Sequence, residues 1–97
     1  MEFLVDISTN FPEGMDPDVI AEIKGRERER GVELMAQGQL CRIWRHPGRR
    51  SSLSLYEVAD ANELHGILSG LPQFPWMDIQ VTPLADHPLD VSARAGN

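Results

Sequence analysis

The sequence predicts an α+β fold, with a four-stranded antiparallel sheet and two helices on one of its faces. Three observations support this prediction: short segments with alternating apolar residues, two longer segments with helical apolar spacing, and the order strand, helix, strand, strand, helix, strand. Right-handed crossovers place both helices on the same side, as in the ferredoxin-like βαββαβ sandwich. The chain has 97 residues, of which 41% are hydrophobic, and is the size of one such domain.

The first strand and the first helix have clear local signals. The strand is predicted over residues 3–11, where the odd positions are mostly apolar and the even positions mostly polar. Asp16 suits the N-cap of a helix and Pro17 suits its first turn. We therefore expect a helix over residues 16–38.

The second half of the chain supplies three more strands and the second helix. Strands are predicted over residues 40–46, 51–58 and 76–81, and the short Pro-Gly turn after the first of them indicates a hairpin. Asp60 and Glu63 have capping-box spacing, which marks the start of the second helix. An apolar stripe follows on that helix and predicts the face that packs on the sheet.

The segment from Pro83 onward has little apolar pattern. We assign residues 1–88 to a single domain and residues 89–97 to a C-terminal tail, which either wraps a neighbouring subunit or stays mobile. On the sheet face away from the helices we expect an apolar surface for subunit contact, the alternative being scattered surface aromatics. The residues expected there are Leu4, Trp44, Tyr56 and Trp76.

Composition narrows the classes of partner and location. The net charge of −6 disfavours nucleic acid, which is bound by an excess of Lys and Arg. The one cysteine, Cys41, leaves no disulfide within the chain and no multi-cysteine zinc site, and it suits a reducing compartment. No apolar run approaches the ~20 residues that span a bilayer, and a signal peptide is not expected. We expect a cytoplasmic protein that does not insert into membranes.

The first helix has an acid within its apolar stripe, which comprises Ile20, Ile23, Glu27, Gly31 and Leu34. Burial would raise the pKa of Glu27 and make its carboxyl group a useful proton carrier. Two other interpretations stay open. Glu27 either pairs with a cation such as Arg42 or Arg45, or is solvated at the edge of the helix.

Positive charge is concentrated in and after the second strand, at Arg42, Arg45, Arg49 and Arg50. An arginine fork can grip a small carboxylate at two points. Arg45 shares strand parity with Ile43 and is expected to point toward Glu27. Arg49 and Arg50 fit a solvated hairpin tip better.

Other reactive side chains show no catalytic or metal-binding spacing. The three histidines are far apart, so we expect no metal site. The hydroxyl groups of Ser51, Ser52 and Ser54 are candidates for hydrogen bonds to a ligand rather than for a nucleophile. Cys41 on a strand is expected to be a small buried hydrophobe.

A set of short motifs resembles the muconolactone Δ-isomerases. They are the segments at 15–17, 43–45, 64–65, 71–79 and 87–88, together with Glu27 and Gly48. Their order and spacing match the family from about residue 3 to residue 88. The resemblance implies a ferredoxin-like fold, decamers of paired subunits, active sites completed by neighbouring subunits, and no cofactor.

The resemblance also implies a reaction and its residues. Family members shift the ring double bond of muconolactone to give the 3-oxoadipate enol-lactone, in the catechol branch of the β-ketoadipate pathway for aromatic degradation. Glu27 matches their catalytic glutamate. Arg45 is the expected partner of the substrate's carboxymethyl group, and Ser52 is a possible hydrogen-bond donor to the charge that develops on the lactone.

Three positions depart from the family pattern around this expected pocket. Leu40 replaces an aromatic residue, Ser52 an asparagine, and Arg49 a histidine. Two related enzymes therefore stay open as alternatives: a chloromuconolactone dehalogenase, and an isomerase acting on another small lactone. A third alternative is a non-catalytic oligomeric module that only binds a ligand.

Overall fold

The computed structural model describes residues 1–90 and contains the predicted elements in the predicted order. The strands are β1 (Glu2–Thr9), β2 (Leu40–Arg45), β3 (Ser51–Glu57) and β4 (Met77–Leu84). The helices are α1 (Pro17–Ala36) and α2 (Ala61–Ser69), and a short 3₁₀ helix, Phe74–Trp76, precedes β4. The strands form one sheet in the order β2-β3-β1-β4, with every neighbouring pair antiparallel. The ferredoxin-like prediction is confirmed.

Capping residues fix where both helices begin. The Asp16 side chain accepts a hydrogen bond of 2.8 Å from the backbone N–H of Asp18, and Pro17 opens α1. The Asp60 side chain accepts one of 2.9 Å from the backbone N–H of Glu63 at the start of α2. These bonds satisfy N–H groups that have no partner within a helix.

The core lies between the helices and one face of the sheet. The odd-numbered residues of β1 face this core, as predicted, and so do the stripe of α2 and Leu34 of α1. The buried cluster comprises Phe3, Val5, Ile7, Leu34, Leu40, Tyr56, Val58, Leu64, Ile67, Leu68 and Leu71, with Met77 and Ile79 packed against it. Because this layer involves every strand and both helices, it fixes the position of α1 over the sheet.

A β-bulge in β2 changes which residues face the core. Leu40 pairs with Tyr56 and Arg42 pairs with Leu55, so Cys41 is the extra residue between them. Cys41 is exposed, and the expectation that it is buried is wrong. Because the bulge adds one residue, Leu40 and Ile43 both lie on the helix-facing side of β2, although one number is even and the other is odd.

The prediction for the other sheet face is correct for two residues and wrong for two. Leu4 alternates with the buried residues of β1 and so lies on the other face. Trp44 lies on that face too, because it pairs with Leu53, which alternates with the helix-facing Ser52 and Ser54 on β3. Tyr56 pairs with Phe3 and is buried in the core, so it lies on the helix-facing side. Trp76 lies in the 3₁₀ helix, where its ring contacts that of Phe11 at a centroid distance of 5.2 Å.

The fourth strand extends beyond the predicted residues 76–81. Pro83 lies opposite Phe3 and Leu84 opposite Glu2, so the segment that lacks an apolar pattern begins inside the sheet. A proline is tolerated here because β4 is an edge strand. Residues 91–97, the larger part of the predicted tail, lie outside the described residues. In the described part of the chain, neither helix is long and apolar enough to cross a membrane.

Candidate active site

Glu27 lies in the middle of α1 and borders a cavity of about 550 Å³ between this helix and the sheet. Its side chain is half-buried, one turn from the buried Ile23 and two turns from the buried Leu34. The stripe predicted from helical spacing therefore faces inward, and the acid faces the cavity. The walls also include Leu40, Ile43, Ser52, Ser54, Tyr56, Leu71 and Met77.

Two opposing effects act on the Glu27 carboxyl group. Burial raises its pKa above the ordinary glutamate value, because a partly dry environment disfavours the charged form. The backbone N–H of Gln73 donates a hydrogen bond of 2.9 Å to Oε1 and acts in the opposite direction. The effect of burial is the larger of the two.

Glu27 forms no ion pair within residues 1–90, where the ion pairs present involve other carboxylates. The alternative interpretation, in which Arg42 or Arg45 neutralises this acid, is therefore wrong for the single chain. Arg42 lies on the other face of the sheet, with its guanidinium 4.9 Å from the centre of the Trp44 ring. The carboxylate is left available for a bound molecule.

Tyr56 is a cavity residue that we did not predict. It is 3% exposed and lines the same cavity as Glu27. Burial and the negative charge of Glu27 raise the pKa of its phenol to about 12, with Arg30 acting in the opposite direction. The alternation of Tyr56 with Val58 along the sequence is a signal that would have placed Tyr56 on the core face.

Ser52 and Leu40, two of the predicted substrate-binding residues, also line the Glu27 cavity. Leu40 is buried opposite Tyr56, and Ser52 is half-buried opposite Arg45. Ser54, one register step farther along β3, is buried beside them. The cavity thus has an apolar wall with hydroxyl groups on its sheet side.

A second cavity, of about 880 Å³, adjoins the first, and Ser52 and Gln73 line both. Its charged lining residues are all cations: Lys24, Arg45, Arg49 and Arg50. Arg45 is thus on the predicted side of the sheet but borders this basic cavity rather than the one that contains Glu27. Arg49 and Arg50 are exposed at the hairpin, as expected, and contribute to the same wall.

The residues described here do not assemble a metal site. Within residues 1–90 no three His, Cys, Asp or Glu side chains are grouped so as to hold a metal ion. His46 Nδ1 is 2.7 Å from the Ser51 hydroxyl oxygen, and its Nε2 is 3.8 Å from Asp6 Oδ2. This histidine therefore has one partner at the hairpin and one on β1.

The fold and the two cavities define a class of protein: a small α+β protein in which a half-buried carboxylic acid adjoins a basic cavity. A family model described as "Muconolactone delta-isomerase" matches residues 1–90. The chain belongs to the muconolactone Δ-isomerase family.

Individual relatives extend this finding over nearly the whole chain. Muconolactone Δ-isomerase 1 of Acinetobacter lwoffii is 42% identical over 91 residues, covering 94% of this chain and 95% of that protein. Muconolactone Δ-isomerase of Rhodococcus opacus is 39% identical over 89 residues, covering 92% and 96%. The crystal structure of a muconolactone isomerase superposes with a TM-score of 0.89 at 34% identity, covering 94% of this chain and 95% of that one.

Proposed function

We propose that this chain is a cofactor-independent isomerase that shifts the ring double bond of muconolactone, or of a closely similar carboxylated lactone, to give the enol-lactone. The proposal depends on one observation, the environment of Glu27. This residue has a half-buried carboxyl group with a raised pKa, at a cavity, in a member of the muconolactone Δ-isomerase family. The reaction belongs to the breakdown of aromatic compounds through the β-ketoadipate pathway.

Glu27 moves the proton in this mechanism. The ionised carboxylate removes the proton from the ring carbon conjugated through the double bond to the lactone carbonyl. The electrons of that C–H bond form the new double bond, and negative charge develops on the carbonyl oxygen. The protonated Glu27 then returns a proton to the carbon next to the carbonyl. A carboxyl group with a raised pKa suits both steps, because acid and base catalysis are most effective when the pKa lies close to the working pH.

The basic cavity orients the substrate. The charged residues of this cavity are all cations, whereas the whole chain has a net charge of −6. The local electrostatic potential is therefore opposite in sign to the net charge and attracts an anionic substrate. Arg45 is our choice for the group that holds the carboxymethyl group, with Arg49 as a second contact at the hairpin. Ser52 lines both cavities, which supports our choice of Ser52 as a contact for the lactone between Arg45 and Glu27, and Leu40 is our choice for shaping the apolar wall.

We also propose that copies of the chain associate around this cavity. Three apolar side chains at or beside its rim are exposed in the single chain: Val32 (62%), Ile43 (50%) and Met35 (45%). Apolar groups clustered in this way typically mark a protein contact. The decamer implied by the family resemblance remains our proposal for the number of subunits. Sedimentation velocity on the purified protein measures that number directly.

We also propose that residues 1–88 form a single domain and that the protein is cytoplasmic. The buried cluster joins both helices and three strands, and Met77 and Ile79 of β4 pack against it, which supports one cooperative unit. The lone Cys41 suits a reducing compartment.

The proposed reaction is tested by incubating the purified protein with muconolactone and following enol-lactone formation by ultraviolet absorbance. A parallel incubation with chloromuconolactone, in which released chloride is measured, tests the dehalogenase alternative. Turnover of muconolactone at the higher kcat/KM supports the proposal. Chloride release without comparable turnover of muconolactone would favour the dehalogenase, and binding of either lactone without turnover would favour a non-catalytic module.

A further inference from the structure

The Tyr56 hydroxyl has no hydrogen-bond partner among residues 1–90, although the side chain is 3% exposed. Within the same residues, no fully buried side-chain oxygen or nitrogen atom lacks such a partner. The hydroxyl oxygen must therefore be accessible, and the surface that Tyr56 borders is the cavity that also contains Glu27. The aromatic ring is packed in the core while its polar end reaches the cavity.

The neighbours of Tyr56 in the sheet leave this hydroxyl free for a bound molecule. Its cross-strand partners are Phe3 on β1 and Leu40 on β2, both apolar and buried. Glu27 is close enough for its charge to raise the pKa of the phenol, but no hydrogen bond joins the two side chains. Both groups therefore offer their polar atoms to the space of the cavity rather than to each other.

The ionisation state of Tyr56 determines whether its hydroxyl group can donate a hydrogen bond in the cavity. Because burial and the Glu27 charge raise its pKa to about 12, the phenol keeps its proton at neutral pH. A protonated phenol donates a hydrogen bond, and a donor preorganised in a dry site stabilises an oxygen on which negative charge develops. Glu27 cannot serve this purpose while it is the base, because its carboxylate only accepts hydrogen bonds.

We propose that Tyr56 is a further catalytic residue, whose hydroxyl donates a hydrogen bond to the lactone carbonyl oxygen while Glu27 removes the proton from the ring. This inference rests on the proposed isomerase function. Tyr56 keeps its proton throughout. The C–H proton passes to Glu27 and negative charge develops on the carbonyl oxygen. When Glu27 gives a proton to the carbon next to the carbonyl, the enolate electron pair forms that C–H bond and the negative charge returns to the Glu27 carboxylate. The carboxyl group and the phenol thus act on opposite ends of one conjugated system.

Tyr56→Phe tests the proposal because it removes one oxygen atom and keeps the ring. We expect kcat with muconolactone to fall by about 10²-fold, the loss typical of a removed oxyanion donor, with a much smaller change in KM. Val58→Ala is the matched control, since Val58 is buried in the core next to β3 but lines neither cavity. Val58→Ala should lose stability and retain kcat.

The outcomes separate this proposal from the one it rests on. A Tyr56→Phe enzyme with a kcat within about threefold of the wild-type value, well short of a donor's contribution, would overturn the role of Tyr56 alone. Equal losses of kcat in Tyr56→Phe and Val58→Ala would also overturn it, because packing would then explain both. A wild-type protein that does not turn over the lactone would overturn the isomerase function, and the role of Tyr56 with it.

A spectroscopic measurement tests the contact itself. Tyr56 is the one tyrosine in the chain, so growth on 3-fluorotyrosine labels a single position. We expect the ¹⁹F resonance of the labelled protein to move when a saturated carboxymethyl lactone, which cannot isomerise, is added to saturation. Acetate is the control ligand and should move it far less. A resonance that is unchanged by the saturated lactone would overturn the proposed contact.

Discussion

The backbone N–H of Gln73 donates a hydrogen bond of 2.9 Å to Oε1 of Glu27, joining two residues that are 46 positions apart in the chain. Gln73 lies between α2 and the 3₁₀ helix, so this bond connects that segment to the middle of α1. It favours the ionised carboxylate, whereas burial favours the neutral acid. The proposed reaction depends on this balance, because Glu27 must act as a base and then as an acid.

Removing the Gln73 N–H is expected to move the pH profile of the enzyme. Gln73→Pro deletes this donor, and a small change from the native φ of −88° brings the backbone to the value of about −65° that proline imposes. The pKa of Glu27 should then rise further, so the rising limb of kcat/KM against pH should move to higher pH. Gln73→Ala is the control, because it keeps the N–H. If the rising part of the pH profile is unchanged in Gln73→Pro, this hydrogen bond does not set the pKa of Glu27.

Glu27 also makes folding stability depend on pH. Its pKa is raised in the native protein, so the native state keeps the proton at pH values where the unfolded chain has lost it. The stabilisation from the protonated form is therefore complete below the ordinary glutamate pKa and is lost as the pH rises through the raised value. We expect wild-type protein to lose stability relative to Glu27→Gln over that interval, as measured by urea denaturation. Parallel pH profiles for the two proteins would contradict the assigned shift.

The single tyrosine provides a direct measure of the charge on Glu27. We expect tyrosinate absorbance to report a pKa of about 12 for the wild-type protein. Glu27→Gln removes the negative charge that is the second cause of this shift, so the pKa should fall toward the ordinary tyrosine value. Burial remains in the variant, so the fall should be partial. An identical pKa in both proteins would mean that Glu27 and Tyr56 are not coupled.

Arg45 and Arg42 form a matched pair for testing substrate binding. Arg45 lines the basic cavity, whereas Arg42 lies on the other face of the sheet over Trp44. Arg45→Gln should raise KM by ~10- to 100-fold with a smaller effect on kcat, since a hydrogen bond to a charged group contributes about 1.5–3 kcal/mol. Arg42→Gln should leave KM unchanged. Equal effects of the two substitutions would indicate a general loss of positive charge instead of a specific contact.

Periodicity predicted most of the fold and the position of its acid. The helical spacing of Ile23, Glu27 and Leu34 is a local property of the chain, and so are the caps at Asp16 and Asp60. Each of these signals needs only a few neighbouring residues, and for that reason each was visible in the sequence. The antiparallel sheet with both helices on one face followed from the order of the elements and the preferred hand of their connections.

The residues around the acid could not be placed in the same way. One extra residue at Cys41 changes the alternation of β2, and no short motif signals such a bulge. The error for Tyr56 has another cause: Ser52 and Ser54 share its parity on β3 and are polar, which hides the signal from its alternation with Val58. The bond from Gln73 to Glu27 is a tertiary contact made by a backbone N–H, and a side-chain pattern does not report it.

Glu27 carries the proton in the proposed reaction, and deuterated water provides a direct test of this role. Wild-type protein and Glu27→Gln are each incubated with muconolactone in deuterated water, and NMR follows both the double-bond shift and deuterium at the carbon next to the carbonyl. We expect wild-type protein to form enol-lactone, with deuterium at that carbon to the extent that the proton on Glu27 exchanges with solvent before it is returned. We expect Glu27→Gln to reduce the rate of the double-bond shift by at least ~10²-fold, the range for an essential acid-base group. A Glu27→Gln protein that isomerises the lactone within about tenfold of the wild-type rate, short of that range, would contradict this role of Glu27.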